Sequence, residues 1–308
     1  MLRTDSNGKI YFITQPDHAL VSGYFAAHWG NDKFTRPGYY ADTSDPESLR
    51  TETVLGIAEH DNGWWEWEAS SEPDADGLPQ GLTAVLKNQE EGMNRWRLGI
   101  PRLSKKHPYA SLLISWHAYW LYAHSSGAEL NEAFIHPLFW KGTDLYAQDS
   151  SPRLEGQALE NALKFVEELR GLQNGLMSDI NKHEAAAGWL DNENLLPHIR
   201  LIQILDGLSL SICSDLIPAR EGNSKGLGRD EFDLLHVPGK SWEDRVTMRV
   251  FPKGERKIGL DPYPFDIDPL LVHVPARIID GNVTSSEDYR PLWYTTPIEE
   301  LEYEFSPA

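Results

Sequence analysis

The sequence predicts a mainly α fold, a helical bundle with a smaller antiparallel β element at its C-terminal end. Apolar residues recur at helical spacing through residues 1–216, and β-type residues between Pro- and Gly-rich turns replace that pattern in 217–308. The chain has 308 residues, 40% of them hydrophobic, including eleven Trp, which is enough to bury a sizeable core. We therefore expect a helical domain over 1–216 and a β-rich extension over 217–308 packed on it.

Six helices are predicted in the first part of the chain from apolar periodicity and local start or stop signals. The first begins at Pro16, a residue type favoured in the first helical turn, and ends before Gly30. The fourth is apolar around most of its circumference, which predicts a central position. Residues 126–152 show no clear period, so no element is predicted there. The predicted helices cover 16–29, 51–65, 82–105, 110–125, 154–187 and 195–216.

Strands are predicted near both ends of the chain. Residues 9–15 have the composition of a short strand or an extended segment. Residues 245–251, 270–279 and 301–305 carry β-branched and aromatic side chains in partial alternation, separated by turns. These segments form the predicted C-terminal β element.

The charge balance excludes several classes of partner. The chain has 28 Lys and Arg against 47 Asp and Glu, which gives a net charge of −19. Such a surface repels nucleic acid and anionic membranes, so we expect neither as a partner and expect a small molecule instead. Cys213 is the single cysteine, so no internal disulfide is possible, and the first residues lack the apolar core of a signal peptide. A cytoplasmic location is predicted, while the oligomeric state stays open.

Five metal-competent side chains lie on predicted helices with apolar surroundings: His18, His60, Asp61, His117 and Asp206. A carboxylate such as Asp206, among Leu and Ile residues, is costly to bury unless it is paired or binds a cation. Imidazole and carboxylate together suit a divalent Mn, Fe or Zn ion. We therefore predict that the five converge on one metal site. The alternative is that Asp206 bonds to a nearby Trp or Tyr and that His117 is an ordinary core histidine.

Short strings around these residues resemble known families. The sequence is similar to an uncharacterised bacterial family of unknown function and resembles the HD superfamily of metal-dependent phosphohydrolases. This resemblance implies that His18 is the first metal ligand, that His60 and Asp61 form the ligand doublet, that His117 is an additional imidazole and that Asp206 is the closing carboxylate. The strings are QPDHA (15–19), EHDNGW (59–64), SWH (115–117), LDGLSL (205–210) and DPYPF (261–265).

Two other histidines compete for places in the site. His28 lies ten residues after His18, about 15 Å along a helix, so both cannot bind one ion, and His18 is preferred. His124 would complete a set of four His and two Asp like that of di-iron oxygenases related to inositol oxygenase. However, His124 lies about 10 Å along the helix from His117, whereas the ions of a dinuclear centre are about 3.5–4 Å apart. This spacing disfavours the oxygenase.

Three further residues are candidates for a substrate pocket: Glu59, Trp64 and His124. Glu59 and Trp64 flank the doublet in sequence, and Trp64 belongs to a group of aromatic residues. The alternatives are a solvated carboxylate for Glu59 and ordinary core for Trp64.

The function predicted from these observations is hydrolysis of a small phosphate ester by a metal-activated water, with Asp61 as the catalytic residue that orients the water. A cation to hold the phosphate is not identifiable. No Lys or Arg lies near the four strings that carry the predicted ligands except Arg200, about one and a half helical turns before Asp206. The alternatives are a non-catalytic protein that binds a metal or small ligand, and a di-iron oxygenase on the same helical frame.

Overall fold

The fold combines helices with a large sheet. The computed structural model describes residues 1–69, 73–75, 77–82, 89–140, 153–218, 224–281 and 290–308. About 48% of the structure is helical and 21% is strand, and the strands form a seven-stranded mixed sheet curled into a half-barrel. The protein is therefore an α/β fold. The predicted mainly α, or all-α, class with a small β element is wrong.

Six of the described helices overlap the predicted ones. Thr14 caps the first helix by accepting from the Asp17 N–H, and Gly127, at a φ of 70°, ends the fifth. The helix predicted over 51–65 ends at Ala58, and residues 83–88 of the third prediction lie outside the described residues. The helices are α1 (Gln15–Ala27), α2 (Pro46–Ala58), α3 (Trp65–Ala69), α4 (Gln89–Leu103), α5 (Pro108–Ser126), α6 (Gly156–Ile180), α7 (Asn192–Cys213) and α8 (Arg290–Thr295). Short 3₁₀ turns cover Asn62–Trp64, Glu132–Phe134, Pro137–Phe139 and Glu184–Ala186.

The sheet takes strands from both ends of the chain. Its strands are β1 (Leu2–Ser6), β2 (Lys9–Ile13), β3 (Phe232–Pro238), β4 (Arg245–Gly254), β5 (Lys257–Asp261), β6 (Leu270–Asp280) and β7 (Ile298–Pro307). Their order is β1-β2-β6-β7-β5-β4-β3, and all neighbours are antiparallel except β5 and β7. Ile10 of β2 pairs with Ile279 of β6, so strands from both sides of residue 216 share one sheet. The domain boundary at 216 stays a prediction.

Two large apolar clusters pack around helix α7. The sheet cluster joins the inner face of the sheet to α1 and to the second half of α7, from Leu201 to Cys213. The helical cluster joins α4, α5 and α6 to the first half of α7 through Leu195 and Ile199. Helix α7 is long and apolar enough to cross a membrane, yet 94% of its most apolar window is buried inside the protein, as is typical of a core helix. The cytoplasmic location stays a prediction.

Candidate metal centre

The structure brings the five predicted metal ligands together. His18 Nε2 lies 2.9 Å from Asp61 Oδ2, and His18 Nδ1 lies 3.7 Å from Asp206 Oδ1. His60 Nε2 lies 3.5 Å from Asp206 Oδ1, and His117 Nε2 lies 3.3 Å from Asp206 Oδ2. Each of the five side chains is at most 8% exposed. Four sequence-distant segments therefore meet at one buried cluster of imidazoles and carboxylates.

The elements that carry these residues differ in one respect from the prediction. His18, His117 and Asp206 lie on α1, α5 and α7, as expected. His60 and Asp61 lie in the turn after α2, which ends at Ala58, and not on the helix itself. On a regular helix, the side chains of two adjacent residues point about 100° apart. The turn instead lets both side chains of this pair face the cluster.

A fourth histidine, His136, joins the cluster and was not predicted. It is 2% exposed, and its Nε2 lies 2.8 Å from Asp206 Oδ2. His136 precedes the short 3₁₀ turn Pro137–Phe139, in a segment without periodicity, so no helical or strand pattern pointed to it. Its signal in the sequence is a His-Pro pair within an aromatic run, since a histidine before such a turn can cap it. The cluster thus contains four imidazoles and two carboxylates.

Hydrogen bonds at the outer ring nitrogens fix the protonation of several imidazoles. His60 Nδ1 donates to the Ile57 carbonyl oxygen at 2.8 Å, so the lone pair of Nε2 points into the cluster. Ser209 Oγ donates to the Asp206 carbonyl oxygen, so His18 Nδ1 donates to Ser209 Oγ at 2.9 Å. The Nε2 lone pair of neutral His18 then faces the Asp61 carboxylate. The His18 Nε2 lone pair and Asp61 Oδ2 are both acceptors, and at a separation of 2.9 Å they require a proton or a cation beside them.

His136 has the opposite arrangement. Its Nδ1 accepts the backbone N–H of Leu138 at 3.1 Å, so the proton of the neutral ring is on Nε2 and faces Asp206. In this state His136 orients the Asp206 carboxylate by donating to it and does not offer a lone pair to an ion.

The cluster has the orphan atoms and the spacing expected of a cation site. His60 Nε2, His117 Nδ1 and Asp206 Oδ1 are buried without an aligned hydrogen bond. Such unsatisfied groups cost about 1–3 kcal/mol each, so something should compensate them. Ligand atoms with bonds of about 2.1 Å to one ion lie about 3.0 Å apart at right angles and about 3.4 Å apart at tetrahedral angles. Two groups have ligand atoms within 4.8 Å of one another and could hold a metal ion: His18, His60 and Asp61, and His60, His117 and Asp206.

The electrostatics of the cluster also favour a bound cation. Burial opposes protonation of His60, but Asp61 and Asp206 raise its pKa to about 9. Burial alone would raise the pKa of Asp206, but the charges of His60 and His136 hold it well below its usual value. Burial lowers the pKa of His117 to about 4. With His60 protonated, two carboxylates still leave one negative charge, whereas a divalent cation with neutral imidazoles balances both.

A cavity of about 120 Å³ opens beside the cluster. Its wall is mainly apolar and aromatic, and among the described residues no Lys or Arg lines it. Trp64 is part of this wall, as predicted. The lining residues are Gln15, His18, Asp61, Trp64, Leu82, Gln89, Gly92, Trp96, His117, Leu121, Tyr122, Ser125, His136, Leu138, Phe139, Asp206 and Leu210.

The remaining candidates lie elsewhere. Glu59 caps the C-terminal end of α2 outside the cavity lining, and burial raises its pKa. His124 is buried on α5 but lies outside both metal-competent groups and the lining. His28 pairs with Asp266 at 2.9 Å, away from the cluster.

Arg200, the basic residue that precedes Asp206 on α7, is not available to hold a phosphate. It is fully buried and donates to the carbonyl oxygens of Ile135 and Leu235.

No curated protein and no solved structure matches this chain at a significant level. A family defined by sequence does match, and the match covers residues 1–281. That span includes all six residues of the cluster. The chain therefore belongs to the family described as "Protein of unknown function (DUF3891)".

Proposed function

We propose that this chain is a metal-dependent hydrolase that uses an activated water to cleave a small phosphate ester, with Mn, Fe or Zn as the divalent ion. The observation that carries the proposal is the buried cluster of four His and two Asp that opens on a ligand-sized cavity. Its residue order, with a His, a His-Asp pair, a further His and a late Asp, resembles the HD metal-dependent phosphohydrolases. A small molecule is the proposed partner.

The residues of the cluster have distinct roles in this proposal. His18, His60, His117 and the two carboxylates would hold the cation, which would supply a water of lowered pKa and a positive charge for a phosphoryl oxygen. Asp61 lines the cavity and contacts His18, so it is placed to orient the water and accept its proton. His136 keeps Asp206 oriented through Nε2. The aromatic wall limits access of bulk water to the reacting groups.

The charge of the phosphoryl group has to be balanced inside the cluster. Among the described residues, the cavity lining has no Lys or Arg, and Arg200 is engaged by backbone carbonyl groups. The cation is then the main positive charge available to the ester, which favours small substrates with few negative charges.

A second candidate is an iron-dependent oxygenase on the same frame. The specific observation in its favour is that, among the described residues, no Lys or Arg lines the cavity, which suits an uncharged substrate. This candidate requires a redox-active dinuclear iron centre, whereas the hydrolase does not.

Elemental analysis of the purified protein and two variants tests the metal site. We expect near-stoichiometric metal in the wild-type protein and in the control Asp266→Asn, which removes an exposed carboxylate paired with His28. Asp206→Asn should lose most of the metal because this carboxylate contacts three of the imidazoles within 3.5 Å. Wild-type protein that is folded, metal-free and unable to bind added Mn²⁺ or Zn²⁺ would overturn the proposal and favour a non-catalytic ligand-binding protein.

A phosphatase screen with added Mn²⁺ then tests the reaction. Turnover of a small phosphate ester should be abolished in Asp61→Asn and retained in Asp266→Asn. If the metal-loaded protein hydrolyses none of a set of aryl, sugar, glycerol and nucleoside phosphates, this result would count against the hydrolase. A dinuclear iron signature that responds to oxygen would favour the oxygenase instead.

A further inference from the structure

The cavity beside the metal centre has a chemical character of its own. Its wall is mainly apolar and includes the rings of Trp64, Trp96 and Phe139 and the aliphatic side chains of Leu121 and Leu210. Binding of a sugar or polyol to such a wall is weak, because the hydroxyl groups would lose their hydrogen bonds to water without forming new ones. An apolar ligand of matching shape would bind most favourably.

Outside the metal-centre cluster, one buried polar atom of the described lining residues lacks a hydrogen-bond partner. Gln15 is 3% exposed, and its Oε1 is buried without a hydrogen bond. Gln15 occupies the first turn of α1, where its backbone N–H donates to Glu68 Oε2 at 2.8 Å. The side chain is thus anchored at its root, on a residue that lines the cavity. A buried acceptor of this kind is satisfied when a ligand donates an O–H or N–H.

The volume limits the size of the ligand. A cavity of about 120 Å³ is slightly smaller than the ~150 Å³ engineered cavity that holds benzene in another protein. A single six-membered ring is near the upper limit, and a nucleoside exceeds it. The cluster at one end of the cavity then receives whatever polar group the ring carries there.

We infer that the cavity binds a small apolar ring that carries an O–H or N–H donor, and that the substrate is the phosphate ester of a ring alcohol that keeps a second donor of this kind. The ring packs against the aromatic wall, and an O–H or N–H on the ring donates to Gln15 Oε1. The ester part of this inference rests on the proposed hydrolase function, whereas binding of the ring itself does not.

Binding of three simple compounds to the full-length protein as purified tests the inference. Phenol has an apolar ring and a donor, toluene has nearly the same shape without a donor, and glycerol has donors without a ring. By calorimetric titration, we expect phenol to bind at least roughly tenfold more tightly than glycerol. We expect phenol to bind roughly fivefold more tightly than toluene, the usual contribution of one neutral hydrogen bond.

A glutamine variant and a matched control separate the hydrogen bond from the shape of the cavity. Gln15→Met has a similar length but no acceptor, so phenol affinity should fall to that of toluene while toluene affinity stays unchanged. The control Gln173→Met replaces a glutamine on α6 that is equally buried, at 2% exposure, but does not line the cavity. It should leave the affinities for all three compounds at wild-type values.

Each outcome of these titrations bears on the inference. Equal affinities for phenol and toluene, or an unchanged phenol affinity in Gln15→Met, would overturn the role of Gln15. Glycerol binding as tight as phenol binding, or no binding of either ring compound, would overturn the apolar ring as ligand.

Hydrolysis assays with the metal-loaded protein separate this inference from the proposed function. 4-Hydroxyphenyl phosphate, which has a ring and keeps a free O–H, should be cleaved faster than glycerol phosphate. Ring binding without any hydrolysis would leave the cavity assignment intact and remove the hydrolase. Faster hydrolysis of glycerol phosphate would leave the hydrolase intact and remove the ring ester as substrate.

Discussion

His198 shows how a histidine outside the metal centre is held neutral in the core. Its Nε2 accepts the Gly38 N–H at 2.9 Å, so its Nδ1 carries the proton and faces the Tyr109 hydroxyl at 2.7 Å. His198 has no exposed surface, and burial lowers its pKa to about 3. This ring is a satisfied core histidine, in contrast to His60 and His117, whose ring nitrogens include orphans.

The buried neutral state of His198 predicts a loss of stability in acid. Its pKa falls from 6.5 in the unfolded chain to about 3 in the folded protein, so the unfolded state binds more protons between these values. The free energy of unfolding therefore decreases as the pH falls below about 6.5, by up to ~1.4 kcal/mol per pH unit from this group. Urea unfolding at several pH values between about 7 and 5 measures this effect. Over this range the free energy of unfolding should decrease less steeply with falling pH in His198→Gln than in the wild type.

The control for this prediction is His183→Gln, which changes an exposed histidine. It should show the same pH dependence as the wild type. If His198→Gln and the wild type lose stability in parallel, proton exclusion by His198 is not the cause.

The candidate site was largely predictable at the level of single residues. Each of the five predicted ligands has mainly apolar surroundings in the sequence. Burial of a charged or titratable side chain there costs free energy unless a partner compensates it. His136 was missed because no periodic element surrounds it. Arg200 was a possible phosphate ligand by sequence distance alone, but sequence distance does not show that carbonyl groups would engage it.

At the level of elements, one face of α7 holds the segment that delivers His136. Arg200 Nη1 donates to the Ile135 carbonyl oxygen at 2.9 Å, and Gln203 Nε2 donates to the Phe134 carbonyl oxygen at 2.8 Å. Asp206, three residues further along the same face, contacts His136 itself. Positions 200, 203 and 206 are neighbours on a helix because of their three-residue spacing.

Replacement of Arg200 should therefore destabilise the protein strongly. Arg200→Met leaves the carbonyl groups of Ile135 and Leu235 without a charged donor, and we expect a loss of about 2–4 kcal/mol in the free energy of unfolding. Arg249→Met, which removes an exposed ion pair with Glu231, should cost less than about 1 kcal/mol. Equal losses in urea unfolding would contradict this assignment.

The crossing of α1 and α2 depends on a glycine. A Cβ on Gly23 would lie 2.4 Å from the Ala58 Cβ, so Gly23→Ala should force the helices apart at a cost of about 1–3 kcal/mol. Gly175 on α6 is exposed with open space around it, and Gly175→Ala should instead stabilise the protein by about 0.5–1 kcal/mol. Thermal unfolding would show shifts of opposite sign, and shifts of the same sign would refute the close-contact explanation.

The positions of most elements could also be predicted from sequence, but three strands could not. Helical periodicity located α1, α2, α4, α5, α6 and α7. Strands β1 and β5 have five residues each, too few for a clear alternation. Strand β3 is irregular, with a register shift between Leu234 and Val237 against β4.

For the whole molecule, the fold class was mispredicted because the sheet depends on pairing between distant parts of the chain. Ile10 near the start pairs with Ile279 near the end, and β5 lies parallel to β7. Local patterns show where a strand forms but not which strand lies beside it. The N-terminal strands were therefore not expected to extend a C-terminal sheet.

If the proposed ion binds this cluster, its removal should weaken the whole fold, because the candidate ligands come from α1, the turn after α2, α5 and α7. An ion that binds the folded state alone stabilises it by about 2.7 kcal/mol at a hundred times its Kd. We expect a chelator to lower the Tm of the wild-type protein and added metal to restore it. The Tm of Asp206→Asn should not respond to either treatment, and a wild-type Tm that is indifferent to chelation would contradict a site built across these elements.

Helix α7 has its first half in the helical cluster and its second half, which carries Asp206, in the sheet cluster. Asp206 lies 3.3 Å from His117 of α5, a helix of the helical cluster, so the site joins the two clusters. Any change that tilts or shifts one half relative to the other displaces the carboxylate from its imidazoles. Substitutions in the sheet, such as Leu270→Ala, should therefore alter metal affinity without touching the metal. The dissociation constant of the ion would therefore report how the two halves of the molecule pack against each other.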